Sequence, residues 1–210
     1  MRPQKPSIRS SLIRIHQVIL KIDLERWGIN QQPRLTKLEK MVLLLEDRRF
    51  FEHAGVDWLS VIRETQRLLT RKRHGGASTI DMQLFRTISD RYERTIRRKV
   101  REWFGTVLLQ RKFTKLEILR IYLGVAYFGT GLRGALDAAK ALFPDAIDPY
   151  AWQLEDEDLT LDQAAQIAAL LVYPKPRIPD INWQSKVRRR ANYGLALYAR
   201  REKKLDQILR

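Results

Sequence analysis

Two adjacent carboxylates, Glu46 and Asp47, follow an apolar run that is typical of a buried helix. The run covers residues 41–45, and a capping box at residues 36–39 (TKLE) predicts where its helix begins. Carboxylates at the end of a buried helix have two interpretations. They form a solvated helix end, or they point into a cleft, where one of them can act as a general base.

A third carboxylate, Glu102, lies in a segment whose apolar residues predict an amphipathic helix from residue 95 to about residue 110. At about 100° per residue, the apolar stripe centres near Val100, and Glu102 lies almost opposite it. Taken alone, this pattern favours a solvated helix face on which Glu102 pairs with Arg98, one turn earlier.

The surroundings of Glu102 are strongly basic, with seven Arg or Lys and two acids in residues 86–101. Ser78 and Thr79 follow a Gly-Gly pair, and Gln83 comes shortly after them. Guanidinium groups and hydroxyls suit the oxygens of a pyrophosphate, so a carboxylate beside them suggests group transfer from a phosphorylated donor. A basic groove does not by itself name its anion, and nucleic-acid binding stays open at this point.

The composition of the whole chain also indicates an anionic partner. Its 210 residues include 40 Lys and Arg against 24 Asp and Glu, a formal net charge of +16, and 44% of them are hydrophobic. This balance predicts a globular domain that buries a real core, and it excludes a disordered tail. Cysteine is absent, which excludes disulfides and cysteine-based zinc sites.

Residues 1–35 are predicted to be a basic amphipathic segment that precedes a domain at residues 36–210. The segment's apolar residues fit either a helix docked on the core or a helix lying on a membrane surface. No run approaches the roughly 18 to 20 apolar residues that span a bilayer, and the N terminus lacks a signal-peptide pattern. We therefore expect neither a transmembrane anchor nor an export signal.

Helices are predicted along most of the chain, and strand signals are scarce. Two further capping boxes, at residues 114–117 and 160–163, open predicted helices. TRKRHGGAS (residues 70–78) is predicted to be a mobile loop, and YFGTGLRGA (residues 127–135) a glycine-punctuated turn. The tail from residue 185 is predicted to be a basic helix. The predicted fold is therefore mainly α.

Four segments taken together resemble the peptidoglycan glycosyltransferases of glycosyltransferase family 51, also called transglycosylases. EDRRFFEHAG (residues 46–55) is similar to the first family motif, E-D-x-x-F-x-x-H-x-G, with every fixed position present. GASTIDMQLFR (76–86) resembles the second motif, RKVRE (98–102) the third, R-K-x-x-E, and KLEILRIYLG (115–124) the fourth. The resemblance runs in order from about residue 36 to residue 180.

This resemblance implies a lysozyme-like, mainly helical fold with a large head lobe and a smaller mobile jaw lobe around a cleft. It implies an inverting enzyme that polymerises lipid II, a disaccharide-peptide carried on a polyprenyl pyrophosphate. Glu46 would be the general base and Glu102 the second catalytic carboxylate. The expected substrate-binding residues are Asp47, Arg63, Ser78, Thr79, Gln83, Arg86, Arg94, Arg98 and Lys99.

The same resemblance implies the cofactors and partners. Mg²⁺ or Mn²⁺ would bridge the donor pyrophosphate, since hard cations favour oxygen ligands, and no organic cofactor is expected. The implied partners are lipid II, the growing glycan strand and the anionic membrane surface, and nucleic acid is not expected. The implied location is the outer face of the bacterial cytoplasmic membrane, where the protein would be peripheral.

The chain departs from the family in its second and fourth motifs. Asp81 and Met82 replace a threonine and a glutamine, and Arg120 and Gly124 replace a glutamate and an asparagine. These departures leave open a catalytically weak relative that binds lipid II or a cell-wall partner as a regulator. The lysozyme-like fold also leaves open a glycan hydrolase, although hydrolysis of a polymeric glycan needs no pyrophosphate site.

Overall fold

A computed structural model describes residues 34–62, 78–89 and 96–207, together with Ile13, with the backbone alone at 96–98 and 203–207. These residues include a helical segment at 58–62, a 3₁₀ turn at Phe50–Glu52, and the strands β1 (Tyr127–Gly129) and β2 (Leu132–Arg133). The longer helices are α1 (Lys37–Glu46), α2 (Ile80–Ser89), α3 (Ile96–Lys112), α4 (Lys115–Val125), α5 (Ala135–Leu142), α6 (Leu161–Ala169) and α7 (Ile181–Gln207). The prediction of a mainly α fold is confirmed.

The three predicted capping boxes all form, and they fix where α1, α4 and α6 begin. At the start of α1, the Thr36 hydroxyl accepts from the backbone N–H of Glu39, whose carboxylate accepts from the Thr36 N–H at 2.8 Å. Thr114 and Thr160 make the same reciprocal contacts at the other two helices. Each box satisfies two N–H groups that a helix start otherwise leaves unpaired.

Helix α1 lies in the centre of the core and carries Glu46 at its end. Met41 and Val42 are fully buried, and burial of each such side chain stabilises the fold by about 1.5–3 kcal/mol. The helix packs against α6 and α7. Helix α6 has four buried alanines, and these small side chains let the helices approach closely. The position of Glu46 is therefore set by a rigid element.

Helix α2 packs against both α3 and α4. The contact with α3 depends on Gly105, because a Cβ at this position would lie 1.8 Å from a ring atom of Phe85. Any larger residue would push the two helices apart. Gly105 thereby fixes the separation of α2 and α3, which carry Gln83, Arg86, Arg98 and Lys99 among the predicted substrate-binding residues.

Helix α3 exposes the apolar stripe that a soluble amphipathic helix would bury. Phe104 is 68% exposed, Val100 and Val107 are also exposed, and Glu102 on the opposite side is only 1% exposed. The solvated face that the sequence pattern favours for Glu102 is therefore wrong. On the inward face of α3, the Glu102 carboxylate pairs with Arg86 on α2, and Leu109 is fully buried.

The predicted glycine-punctuated turn is a small antiparallel hairpin of β1 and β2. Gly129 in this hairpin also bridges to Lys175. The amphipathic segment predicted in residues 1–35 lies almost wholly outside the described residues. The loop predicted at residues 70–78 also lies outside them, except for Ser78. Among the helices that the structure does describe, none combines the length and the apolar character needed to cross a bilayer.

Candidate active site

Glu46, the expected general base, is the last residue of α1 and is half-buried. Its carboxylate is contacted from two other helices. Oε2 accepts a long hydrogen bond of 3.4 Å from the side-chain amide of Gln83 on α2. Oε1 lies 2.7 Å from Nη2 of Arg190 on α7. Side chains from two helices therefore orient the Glu46 carboxylate through both of its oxygens.

Gln83 is itself oriented by Tyr122 on α4. The phenol donates to the amide oxygen of Gln83 at 2.6 Å, which leaves the amide NH₂ to face Glu46. Burial raises the pKa of Tyr122 well above its ordinary value, and the nearby charge of Glu46 acts in the same direction. Tyr122 therefore stays protonated and acts as a donor.

Glu102, the second predicted catalytic carboxylate, is buried against Arg86 on α2. Nε of Arg86 lies 2.9 Å from one carboxylate oxygen and its Nη2 lies 3.4 Å from the other. The same Nη2 also donates to the hydroxyl of Ser78 at 3.3 Å. Because Gln83 and Arg86 are one helical turn apart, one face of α2 contacts both Glu46 and Glu102.

Thr79 of the second motif contacts the first motif through a hydrogen bond to its backbone. Its hydroxyl donates to the carbonyl oxygen of Gly55 at 2.6 Å and accepts from the N–H of Met82 at 3.3 Å. Gly55 has a φ of +84°, and a Cβ there would lie 2.7 Å from Thr106 on α3. These contacts explain why the motif requires glycine at this position, and they give Thr79 a structural contact besides its predicted substrate-binding role.

Asp47, another predicted substrate-binding residue, points into the protein. Its Oδ2 lies 3.1 Å from Nε2 of His53 and accepts from the backbone N–H of Ile80 at 3.1 Å. The carboxylate thus connects the turn that follows α1 to the start of α2. Asp47 therefore has a structural role beside Glu46, and its role in substrate binding stays a prediction.

A buried network continues from His53 to Asp81, which replaces the family's threonine. The ammonium of Lys115 lies 2.8 Å from the Asp81 carboxylate, 3.5 Å from Nδ1 of His53 and 4.2 Å from the ring centroid of Phe50. Gln110 donates to the other oxygen of Asp81 at 2.7 Å. Burial lowers the pKa of Lys115, while the Asp81 charge opposes that shift.

The contacts of this network distinguish the two ring nitrogens of His53. A lysine ammonium only donates, so Nδ1 of His53 accepts from Lys115. With Nδ1 as the acceptor, Nε2 is the nitrogen that donates to Asp47. A continuous chain of hydrogen bonds therefore runs from α4 to the residue beside the expected base.

Asp47, His53 and Asp81 also have the geometry of a metal site, since one ligand atom from each lies within 4.8 Å of the others. These side chains could hold a metal ion. However, the Lys115 ammonium already bonds Asp81 and His53, so an ion would compete with an internal cation. The cluster fits a lysine-neutralised network better than it fits the Mg²⁺ or Mn²⁺ expected at a donor pyrophosphate.

The structure describes only some of the remaining predicted substrate-binding residues. Lys99 lies on α3 with an exposed side chain. Arg98 lies on the same helix, but only its backbone is described. Arg63 and Arg94 lie outside the described residues, so their predicted contacts with substrate stay predictions.

A family model described as Transglycosylase matches residues 23–198, a span that contains all four motifs and both carboxylate sites. The chain belongs to the transglycosylase family. Penicillin-binding protein 1A of Rickettsia typhi is 33% identical over 169 residues, 79% of this chain and 20% of its own. Penicillin-binding protein 2a of Streptococcus pneumoniae is 34% identical over 138 residues, 66% of this chain and 17% of its own.

A shorter relative is a candidate transglycosylase of Cupriavidus necator. It is 32% identical over 182 residues, which are 87% of this chain and 72% of that protein. By contrast, the chain spans about a fifth of the length of the Rickettsia penicillin-binding proteins that it matches.

The fourth-motif departures of this chain contact other parts of the fold. Arg120, which replaces the family's glutamate, pairs with Glu39 at 2.7 Å, and both side chains are almost fully buried. Glu39 is seven residues before Glu46 on α1, which is about 10 Å along the helix. Gly124 packs against Gly134, where a Cβ would lie 2.6 Å from its carbonyl oxygen. Both substitutions are accommodated by contacts within the fold.

Three residues around the site were not predicted as functional from the sequence. Lys115 and Tyr122 belong to the fourth motif, so the motif contained them without indicating their contacts. Arg190 lies in the run KVRRR, where nothing in the sequence separates it from its neighbours Arg188 and Arg189. Those two neighbours are exposed, and only Arg190 reaches Glu46.

Proposed function

We propose that this chain is a peptidoglycan glycosyltransferase that polymerises lipid II into glycan strands. The observation that carries the proposal is that two carboxylates, Glu46 on α1 and Glu102 on α3, contact the same face of α2 in a chain of the transglycosylase family. A carboxylate at the end of a rigid helix suits a general base, and a buried arginine–carboxylate pair suits recognition of a charged donor.

In the proposed reaction, Glu46 takes the proton from the 4-hydroxyl of the acceptor's N-acetylglucosamine. The hydroxyl oxygen forms a bond to C1 of the donor's N-acetylmuramic acid as the bond from C1 to the pyrophosphate oxygen breaks. Configuration at C1 inverts, and polyprenyl pyrophosphate leaves with the bonding electrons. A sugar hydroxyl is a poor nucleophile, so a positioned base accelerates this step.

The leaving pyrophosphate gains negative charge, and fixed cations would stabilise it. Lys99 has an exposed side chain that is free to approach a donor. Arg86 is held by Glu102, so we assign Glu102 the task of orienting this guanidinium. Hard oxygen ligands on the pyrophosphate would also suit Mg²⁺ or Mn²⁺. The further donor contacts proposed by resemblance are Asp47, Arg63, Ser78, Thr79, Gln83, Arg94 and Arg98.

The exposed apolar stripe of α3 supports the proposal that the chain binds a membrane surface. Trp58 and Leu59 extend the stripe, since the rings of Trp58 and Trp103 lie 4.8 Å apart and both Trp58 and Leu59 are exposed. An apolar patch on a chain with a net charge of +16 suits an anionic bilayer. The polyprenyl tail of lipid II lies in such a bilayer, so we propose peripheral attachment at the outer face of the cytoplasmic membrane.

Replacing Phe104 and Val107 together by serine is expected to weaken binding to anionic liposomes by about tenfold or more, because each apolar side chain contributes about 1.5–3 kcal/mol when it leaves water. Both side chains are exposed, so the melting temperature should stay close to that of the wild type. Co-sedimentation with vesicles measures the binding. Tyr150→Ser, at an exposed aromatic residue outside the stripe, is the control. Unchanged binding of the double variant would remove the stripe from the membrane contact.

The direct test is incubation of the purified protein with lipid II and Mg²⁺, followed by gel analysis of the glycan products. We expect a ladder of polymerised glycan. A protein that binds lipid II without forming polymer would contradict the proposal, and it would favour a regulator that uses the same fold.

A further inference from the structure

Arg190 connects the C-terminal helix α7 to the expected base. Its Nη2 donates to Oε1 of Glu46 at 2.7 Å and to the carbonyl oxygen of Leu45 at 3.0 Å. The two residues are 144 positions apart in the sequence. The side chains of Arg190 and Glu46 are 22% and 10% exposed, so solvent screens this pair less than it screens a surface pair.

The guanidinium of Arg190 has one N–H donor without a hydrogen-bond partner. Its Nε is buried without a hydrogen-bond partner, and no other side-chain nitrogen or oxygen of the described residues is left in that state. A buried donor without a partner is unfavourable for folding. The Arg190 side chain nevertheless takes this pose, in which its Nη2 reaches Glu46.

We propose that Arg190 is a positioning residue for the general base, an inference that rests on the proposed function. Arg190 holds Oε1 of Glu46, while Gln83 contacts Oε2 from the opposite helix. Together they restrict rotation of the carboxylate. Each carboxylate oxygen has two lone pairs, so one remains available to accept the proton of the acceptor hydroxyl. Arg190 acts through Glu46 and need not contact the substrate.

The chain offers a matched control for this proposal. Arg189 precedes Arg190 on α7, carries the same charge and is exposed to solvent. Arg190→Met keeps most of the aliphatic length and removes the guanidinium, and Arg189→Met makes the same chemical change outside the site. Arg190→Lys keeps the charge with fewer donors and tests whether a cation partly restores the contact.

Steady-state polymerisation of lipid II should show a lower kcat for Arg190→Met, by about tenfold or more, with KM within about twofold of the wild type. Arg190→Lys should recover part of the loss, and Arg189→Met should match the wild type. Arg190→Met also loses the contacts with Glu46 and Leu45, so its kinetics are measured well below its melting temperature, where the variant stays folded. A rise in KM without a change in kcat would make Arg190 a substrate ligand and overturn the proposal, as would an equal loss in Arg189→Met.

A second readout does not depend on turnover. Carbodiimide coupling of a small amine to carboxyl groups, mapped by mass spectrometry, reports how accessible Glu46 is. We expect faster labelling of Glu46 in Arg190→Met than in the wild type or in Arg189→Met. Equal labelling would overturn the positioning role even if the wild type polymerises lipid II. An inactive wild type with faster labelling in Arg190→Met would contradict the proposed function and still support the restraint on Glu46.

Discussion

Glu46→Gln is expected to abolish detectable glycan polymerisation and leave the fold intact. The substitution removes the group that accepts a proton and keeps the size of the side chain. General-base catalysis contributes about 10²- to 10⁴-fold to rates of this kind, so the remaining activity should fall by that factor. The amide oxygen can still accept from Arg190, which sits 2.7 Å from the present carboxylate. Product ladders from lipid II measure the loss.

The matched control for this variant is Glu52→Gln, the same chemical change in the turn that follows α1. Glu52 is on the surface and pairs with Arg49, and solvent screens such exposed pairs strongly. Its polymerisation rate should equal that of the wild type. If Glu46→Gln retained wild-type activity under the same conditions, Glu46 would not be the base.

Lys115→Met is expected to reduce the free energy of unfolding by about 3–5 kcal/mol, because the variant leaves the Asp81 carboxylate buried without its cation. Asp81 is 0% exposed, and its contact with Lys115 is 2.8 Å long. Denaturant titration followed by circular dichroism measures the change. Lys112→Met, which changes an exposed lysine on α3, should cost little.

The double variant Lys115→Met/Asp81→Asn separates the lost ion pair from the lost packing. Removing both charges should recover part of the stability, and a double-mutant cycle gives the interaction between them. If the double variant were as unstable as the sum of the single variants, the two charges would not interact.

The pH dependence of stability gives an independent check on Lys115. Burial lowers its pKa below the ordinary value of 10.5, so the unfolded chain binds more protons between these two pKa values. The contribution of Lys115 to the free energy of unfolding therefore rises as the pH rises through this interval. Lys115→Met should lack this rise when it is compared with the wild type.

The parts of the fold that local sequence determines were predicted well. Each of the three capping boxes involves residues three positions apart, and all three form as predicted. Glu46 also lies at the end of a buried helix, as the apolar run before it indicated. These features depend on side chains that meet within one helical turn, so a single sequence is sufficient to predict them.

The features that depend on distant partners could not be predicted in the same way. The periodicity of α3 placed Val100 and Glu102 on opposite sides correctly, but it could not show which side faces the protein. That choice depends on Arg86 from α2, whose contact with Glu102 crosses 16 residues of sequence. No local sequence pattern predicts the pairing of Arg190 with Glu46. Three arginines follow one another at residues 188–190, and only tertiary packing distinguishes Arg190 from the other two.

The distance in sequence between Glu46 and Arg190 also has a consequence for how the protein is made. The ribosome adds Arg190 144 residues after Glu46, and it makes α6 and α7, which pack on α1, after the other described helices. Such long-range contacts form late because the chain between them must first be ordered. The nascent protein therefore carries Glu46 from an early stage of translation but can orient its carboxylate through Arg190 only after the first part of α7 has been made.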